Sequence, residues 1–331
     1  MSLMLPILYS RNMVLIISQD NDYSTLEVIK WLKHFKVKYI RINSDDQVHI
    51  QEWDLQKKSF IFKIEDASVN LDSISYIWYR RGKLSFTLSS VVPEINEFLK
   101  RETFSINEYL FSSQLFSEKN AIGNWLLSEP NKLLVLELAR QVGLRIPNTY
   151  ITGSKDQALS YLENDIEYIS KGIGSNLMFQ DNENIYAVYT ETFTKKDLSN
   201  YKEDFFPSLI QERIPKAFEI RAFILEEEIF SMAIFSQKNQ QTAVDFRKYD
   251  LVLPNRTVPF NLPSAIENKL KLLLKKLELN SASADLILSE DGEYVFLEVN
   301  PVGQFGMVSS PCNYYLEKLI AKKLSAYEHS N

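Results

Sequence analysis

The stretch ADLILSEDGEYVFLEVNP, residues 284–301, decides how the C-terminal part of the chain folds. Its two apolar runs flank an Asp-Gly pair at 291–292, which favours the tight turn of a β-hairpin. Glu298 and Asn300 are two residues apart on the second run, so their side chains share one face of the strand. Asp285 on the first run is placed to come opposite them. The sequence therefore predicts three oxygen ligands at one end of a hairpin.

Three oxygen ligands favour magnesium over calcium, because the protein supplies few of them and phosphate oxygens would complete the octahedron. The alternative is that these acids are ordinary solvent-facing strand residues. Glu298 argues against that alternative, since it lies between Leu297 and Val299, where an unpaired charge is costly. The hairpin is thus a candidate Mg²⁺ site.

Composition limits the classes of function that remain. The chain has 331 residues, of which 45% are hydrophobic and 24% charged, so it is expected to form more than one globular domain. A formal net charge of -6 argues against binding to nucleic acid or to anionic membranes as the main activity. No apolar stretch approaches the roughly 18 residues of a membrane span.

Motif searches leave carboxylates, lysines and arginines to carry the chemistry. The sequence has no HExxH pair, no GxSxG elbow and no Walker-type phosphate loop. Its single cysteine, Cys312, excludes a disulfide within the chain and fits a reducing cytoplasm. Beside Pro311, Cys312 is interpreted as an incidental loop residue, with a catalytic thiol as the minor alternative. Residues 1–12 lack a basic region before their apolar run and are interpreted as a loosely attached extension, not a signal peptide.

The N-terminal part predicts an α/β domain over residues 1–115. Strand, helix and strand patterns at 14–18, 24–35 and 38–42 form a βαβ opening. Apolar segments at 59–64 and 75–79 are expected to extend the same sheet. A helical pattern covers 93–127.

The rest of the chain predicts two α+β subdomains, at 116–208 and 209–331. The first contains an amphipathic helix over 132–142, which Gly143 and Pro147 end, followed by short strands. Long strands dominate the second. The predicted fold class is therefore α/β throughout.

Two lysines are candidate phosphate ligands. Lys132 lies in the first turn of its helix, and Lys171 ends the strand EYISK before a loop that contains Gly174 and Ser175. A lysine at a strand end, followed by a glycine-containing loop, brings a point charge and backbone N–H groups to phosphates. The alternative for either lysine is an ordinary surface residue.

The segment QERIPKAFEIRAFIL supplies a hinge at 211–214 and a strand with Glu219 and Arg221 on one face. An extended hinge can read an adenine edge through backbone groups, and an arginine on the next strand can clamp a phosphoryl group. Arg247, in VDFRKY, is a second candidate clamp. The alternative for Glu219 and Arg221 is a simple same-face ion pair on an edge strand.

The order of these pieces resembles the ATP-grasp superfamily from about residue 118 to 325. The resemblance rests on NKLLVLELARQVGLRIPNTYIT, YISKG, LIQERI, FEIRAFI, VDFR, ADLIL and FLEVNP. The segments MVLIISQDNDYSTLEVIKWLKHFKVKYIRIN and SYIWYRRGK also resemble the first domain of the peptide-maturing branch, the "grasp-with-spasm" or graspetide ligases of microviridin type. That branch implies a Rossmann-like pre-ATP-grasp domain followed by an ATP-grasp fold of two α+β subdomains.

The resemblance also implies roles for individual residues. The nucleotide would be held at its phosphates by Lys132 and Lys171 with the loop of Gly174 and Ser175, at adenine by Gln211, Glu212 and Ile214, and at the ribose or acceptor side by Glu219. The transferring phosphoryl group would be stabilised by Arg221 and Arg247, and one or two Mg²⁺ ions would be bound by Asp285, Glu298 and Asn300. The loop KGIGSN is poorer in glycine than is usual in the family.

The activity that the resemblance implies is ATP-dependent activation of Asp or Glu side chains in a ribosomal precursor peptide. Attack by Ser, Thr or Lys side chains of the same peptide would then form esters or amides. Arg80 and Arg81 are candidates for a patch that faces the leader or core of the precursor, with plain surface arginines as the alternative. A homodimer is expected from base rates. The rival functions are a ligase that adds a free amino acid to a carboxylate, and a catalytically inactive nucleotide-binding protein.

Overall fold

The computed structural model describes residues 13–86, 92–113, 120–174, 178–180, 185–187, 190–236 and 255–325. Its strands in chain order are β1 Met13–Ser18, β2 Lys38–Asn43, β3 His49–Asp54, β4 Ser59–Ile64, β5 Ala67–Asn70, β6 Ile74–Tyr79, β7 Asn120–Ile122, β8 Thr149–Ser154, β9 Glu167–Ser170, β10 Met178–Gln180, β11 Ile185–Ala187, β12 Glu191–Thr194, β13 Asp204–Glu212, β14 Lys216–Leu225, β15 Glu228–Phe235, β16 Arg256–Phe260, β17 Ser281–Ser289 and β18 Tyr294–Asn300. Its α-helices are α1 Tyr23–His34, α2 Pro93–Ser112, α3 Lys132–Gln141, α4 Lys155–Tyr161, α5 Lys195–Ser199, α6 Ser264–Lys276, α7 Gly306–Cys312 and α8 Leu316–Ser325. The predicted α/β class is confirmed.

The chain forms two compact units. The first comprises Met1–Glu129, Leu279–Ala282 and Pro301–Asn331, and the second comprises Pro130–Glu278 and Ser283–Asn300. The C-terminal helices α7 and α8 therefore belong to the same unit as the N-terminal strands, which no local pattern in the sequence indicated. The predicted boundaries at 115 and 208 stay predictions.

A parallel sheet organises the first unit, in the order β2-β1-β6-β7. All residues of β1 are buried, as expected for a central parallel strand. Helix α1 begins after Asp22, whose carboxylate accepts a hydrogen bond from the Thr25 amide at 3.1 Å. The predicted βαβ opening is confirmed, and β1 pairs with β2 and β6 on either side.

Two sequence expectations for this unit are wrong. Residues 59–64 form β4, which pairs antiparallel with β3 and β5 in a separate three-stranded sheet instead of extending the parallel one. Short turns on both sides of β4 favour such a meander, and burial alternates along the strand. The helical pattern over 93–127 ends at Ser112, and residues 120–122 form β7 beside β6. Sheet pairing overrides the apolar periodicity there.

Cys312 is also placed differently from the sequence interpretation. It is the last residue of α7 and is buried, with 6% of its surface exposed. Burial raises the pKa of its thiol. A buried, protonated thiol is a packing residue and not an exposed loop cysteine.

The second unit contains two main sheets. Their strand orders are β12-β9-β13-β8 and β16-β15-β14-β17-β18. Residues 213–215 join β13 of the first sheet to β14 of the second, so the predicted hinge connects two sheets. Gly143 follows α3 with φ of 82°, as predicted for a residue that ends a helix.

The hairpin of β17 and β18 is confirmed. Gly292 has φ of 84°, which favours glycine, and its amide donates to the Ser289 carbonyl at 3.0 Å. The pairing register of this hairpin fixes which side chains lie opposite each other, and it positions the candidate site.

Candidate functional site

The hairpin places four polar side chains on one face. Asp285 pairs directly with Glu298, and Ser283 pairs with Asn300. Residues two apart on a strand share a face, so Ser283 joins the three predicted ligands. Asp285 is buried, Glu298 is half-buried and Asn300 is exposed. The sequence prediction that Asp285 lies opposite Glu298 is confirmed, whereas Ser283 was missed.

The donor set of this face suits a hard cation. Across the described residues, no cluster of three or more His, Cys, Asp and Glu side chains is arranged for a metal. A Mg²⁺ ion here would bind the two carboxylates with the Asn300 amide oxygen, and water or phosphate would supply the remaining ligands. The hydroxyl of Ser283 is buried and has no hydrogen-bond partner among the described residues. These oxygens fit magnesium, although its assignment to them stays a prediction.

Arg221 binds the first of these carboxylates. Its Nη1 lies 3.0 Å from both Oδ1 and Oδ2 of Asp285. Both residues are buried, and their strands β14 and β17 are neighbours in the middle of the sheet. The Nε atom of Arg221 is buried with no hydrogen-bond partner among the described residues. A buried guanidinium of this kind is held in place and retains hydrogen-bonding capacity for an anionic group.

Glu219 is held by two residues that the sequence did not single out. Lys216 Nζ lies 2.5 Å from Glu219 Oε1, and the Ser236 hydroxyl donates to Oε2 at 2.7 Å. Glu219 and Arg221 share a face of β14, as predicted, but each binds a different partner. Because β14 is an interior strand, the alternative of a simple ion pair on an edge strand is wrong.

The two candidate phosphate lysines come together in the second unit. Lys132 is the first residue of α3 and donates to the Gly172 carbonyl at 3.2 Å, next to Lys171. The Asn131 side chain caps this helix by accepting from the amides of Leu133 and Leu134. Gly174 is exposed, with open space around it. Ser175 and Arg247 lie outside the described residues.

Two backbone donors of the hinge are engaged within the second unit. The Glu212 amide donates to the Asn148 carbonyl at 2.9 Å, and the Arg213 amide donates to the Glu167 carbonyl at 3.2 Å. Pro215 has no N–H, so the amide of Ile214 is the last backbone donor before β14. The Gln211 side chain donates to Thr149 Oγ1 at 2.8 Å and is buried. Gln211, Glu212 and Ile214 stay predicted adenine contacts.

Arg80 and Arg81 lie in the first unit, and Arg80 is not a surface residue. Only 3% of Arg80 is exposed, and its Nε lies 3.3 Å from Asp22 Oδ2. Arg81 Nε lies 2.7 Å from the same oxygen, with more of its side chain exposed. Burial lowers the pKa of Arg80 to about 10, so it remains charged at neutral pH. Trp78 and Tyr79, which precede Arg80 at the end of β6, are buried packing residues.

Comparisons with known proteins agree with this geometry. Residues 13–115 match the MvdD pre-ATP grasp domain model. The macrocyclase MdnC from Microcystis aeruginosa MRC, solved bound with precursor peptide MdnA, is 29% identical, with a TM-score of 0.78 over 95% of this chain and 99% of that one. A RiPP-associated ATP-grasp ligase from Chryseobacterium gregarium, in complex with ADP and a leader and core peptide, has a TM-score of 0.83 at 20% identity, over 96% and 97% of the two chains.

A third structure shares the fold at lower identity. The ATP-grasp ligase PsnB, complexed with minimal precursor, Mg and ADP, is 13% identical with a TM-score of 0.70, over 95% of this chain and 97% of that one. A search of curated protein sequences found no match. None of the helices in the described ranges is long and apolar enough to cross a membrane.

The chain therefore has an ATP-grasp fold, and residues 13–115 form its pre-ATP-grasp domain. Within that fold the chain is similar to peptide-modifying ligases, since residues 13–115 match the MvdD pre-ATP grasp model and 95% of the chain aligns with the macrocyclase MdnC.

Proposed function

We propose that this protein is an ATP-dependent ligase that forms cross-links within a ribosomal precursor peptide. Side-chain carboxylates of the peptide are activated as acyl phosphates, and hydroxyls or amines of the same peptide then attack them. The observation that carries the proposal is the pairing of Asp285 with both Glu298 and Arg221 in a chain whose whole length matches peptide macrocyclases. This pairing brings candidate metal ligands and a candidate phosphoryl clamp together in one unit.

The first step transfers the γ-phosphoryl group of ATP to a carboxylate oxygen of the peptide and releases ADP. Lys132 and Lys171 neutralise phosphate charge, and the Ile214 amide orients the base. Arg221 stabilises charge on the transferring group. Asp285, Glu298 and Asn300 would hold Mg²⁺, which would supply further charge neutralisation for this transfer.

In the second step a Ser or Thr hydroxyl, or a Lys amine, attacks the acyl carbon. The carbon–oxygen bond to phosphate breaks, inorganic phosphate leaves with the bonding electrons, and the nucleophile loses a proton. Each ester or amide formed thus corresponds to one water lost from the peptide. Positioning does most of the work, because the acyl phosphate is already activated and would hydrolyse if water reached it.

The decisive experiment is mass spectrometry of a precursor peptide after incubation with the purified protein, ATP and Mg²⁺. Loss of one or more waters, dependent on both ATP and Mg²⁺, is the expected result. A gain in mass equal to an added amino acid would instead support the rival ligase. Consumption of ATP without any change in the peptide would contradict both.

The predicted homodimer belongs to the same proposal. Helix α2 exposes a stripe of apolar residues, with Ile95 45%, Phe98 58% and Tyr109 46% exposed. These positions recur at helical spacing, and a second copy packing on the stripe would remove it from water. Light scattering on the purified chain measures the assembly directly. A cytoplasmic location likewise stays a prediction, which rests on the single cysteine.

A further inference from the structure

A cleft of about 590 Å³ lies entirely within the first unit. One wall is formed by residues 21–24, which follow β1 and begin α1. Arg80 and Arg81, which directly follow β6, form its base. Residues of the C-terminal segment 304–317 complete it. The cleft contains none of the nucleotide or metal residues proposed above.

The cleft occupies the position where open parallel sheets bind ligands. The chain passes from β1 to β2 on one side, and β6 later adds to the other side of β1. Such a reversal of strand order opens a crevice beyond the carboxyl ends of the two central strands. Asp22 follows one of these ends and the two arginines follow the other. The topology therefore accounts for why these charges meet.

The base of the cleft is rigid and charged. Asp22 Oδ2 lies 3.3 Å from Arg80 Nε and 2.7 Å from Arg81 Nε. Arg80 also donates to the Val302 carbonyl and lies 5.3 Å over the Phe305 ring. Both Nε atoms are buried and make no hydrogen bond of good geometry with the described residues. Asp22 thus holds both guanidinium groups in place through their Nε atoms, in a desolvated part of the cleft.

The acidic residues of the cleft are already engaged. Besides Asp22, Glu27 accepts from Lys30 at 2.6 Å, and Glu317 accepts from the Ser309 hydroxyl at 2.6 Å. Arg81 has 27% of its side chain exposed and lines the cleft. Its terminal guanidinium nitrogens form a fork that matches a carboxylate. An incoming anion would therefore be met by Arg81.

Two aromatic side chains flank the opening. Tyr23 is 70% exposed and Tyr315 is 63% exposed, and both line the cleft. Exposed tyrosines around a polar cleft favour peptide binding, since the ring can pack on the peptide backbone and side chains while the hydroxyl remains in contact with water. An extended peptide segment matches this pattern better than a small ion does.

We propose that this cleft binds an acidic segment of the acceptor peptide, with Arg81 pairing with an Asp or Glu side chain and the two tyrosines packing against the residues beside it. The proposal rests on the proposed function for its choice of peptide.

The test measures binding without turnover. A fluorescein-labelled synthetic peptide of alternating Thr and Glu is titrated with the protein, in parallel with the same peptide carrying Gln in place of Glu. Wild type is expected to prefer the Glu peptide. Arg81→Ala is expected to weaken that binding by about ten- to hundredfold, the usual effect of losing a charge-assisted pair. Arg140→Ala, an exposed arginine on α3, serves as the matched control and should bind normally.

Arg81→Ala also removes an ion-pair partner of Asp22, so it could weaken peptide binding by disturbing the fold of the cleft. Tyr315→Ala tests the cleft without that effect. Tyr315 lies outside the ion pair, and its loss should weaken the Glu peptide several-fold while thermal unfolding is unchanged. Equal affinity of wild type and Arg81→Ala for the Glu peptide would overturn the proposal. So would displacement of the peptide by inorganic phosphate at concentrations where acetate has no effect.

The two proposals fail separately. If wild type removes water from a precursor peptide and Arg81→Ala does so equally well at low peptide concentration, the cleft assignment is wrong and the function stands. If no peptide is ever modified but the Glu peptide binds through Arg81, the cleft stands and the function is wrong.

Discussion

The two units each contain a buried arginine–aspartate pair, but they build it differently. In the second unit Arg221 and Asp285 project from neighbouring interior strands, and one nitrogen serves both carboxylate oxygens at 3.0 Å. In the first unit Asp22 lies in a loop and shares one oxygen between Arg80 and Arg81. A strand pair is fixed by sheet register, whereas a loop pair depends on several segments meeting. The strand pair of Arg221 and Asp285 suits a catalytic site, and the loop pair of Asp22 with Arg80 and Arg81 suits a binding site.

Replacing Glu298 with Gln is expected to have the largest effect, because it tests the candidate metal site beside the Arg221–Asp285 pair. The amide keeps the shape of the side chain but removes a metal-binding charge, so product formation should fall by at least about a hundredfold. The fold should be retained, as judged by circular dichroism and thermal unfolding. Glu293→Gln, an exposed acid on the same hairpin, is the control. Normal turnover in Glu298→Gln would remove the metal assignment.

Replacing Arg221 with Ala should lower the rate of phosphoryl transfer by roughly one to three orders of magnitude. Single-turnover measurement of ADP release checks this rate. The same change breaks a buried ion pair, so the free energy of unfolding should fall by about 3–5 kcal/mol. If only the affinity for peptide changed, Arg221 would read the acceptor and not the phosphoryl group.

Arg80→Met should have the smallest effect, because Asp22 keeps its contact with Arg81. Burial lowers the pKa of Arg80 to about 10. Charged Arg80 therefore costs stability at every pH below about 10, and this cost is relieved as the pH rises above about 10 toward the ordinary pKa of arginine. Methionine removes the cost across the neutral range, so the loss of stability should stay below about 2 kcal/mol.

Denaturant titration of Arg80→Met and Arg221→Met side by side sharpens the comparison. The substitution is identical, and the two arginines are almost equally buried. The difference between the two losses in free energy of unfolding therefore measures the cost of leaving Asp22 or Asp285 without that arginine. A larger loss in Arg80→Met would show that the loop pair, and not the strand pair, is the more important for stability.

Much of the candidate site followed from local patterns. The period of two along a strand put Glu298 and Asn300 on one face, and the Asp-Gly turn set the hairpin that brings Asp285 opposite them. Lys132 was found from its helix start and Lys171 from its strand end. The contact of Lys132 with Gly172, across 40 residues of sequence, required the fold.

Other features had no local signal. Ser236 reaches Glu219 from 17 residues away in the sequence, and although Lys216 lies only three residues from Glu219, no sequence pattern marked either residue. The helical periodicity of 93–127 was misleading after Ser112, because β7 gains hydrogen bonds from β6 that a helix pattern cannot anticipate. Cys312 beside a proline suggested a loop, but the proline is tolerated in α7 and the thiol is buried.

The sequence by itself determined the hairpin and the order of charged residues along the chain, because strand alternation and turn chemistry act over a few residues. Only the tertiary structure decided which carboxylate Arg221 binds, and that segment 304–317 returns to the first unit to close a cleft over Arg80 and Arg81. Those contacts join residues far apart in the chain, and their free energy depends on burial and register that exist only once the sheets have formed.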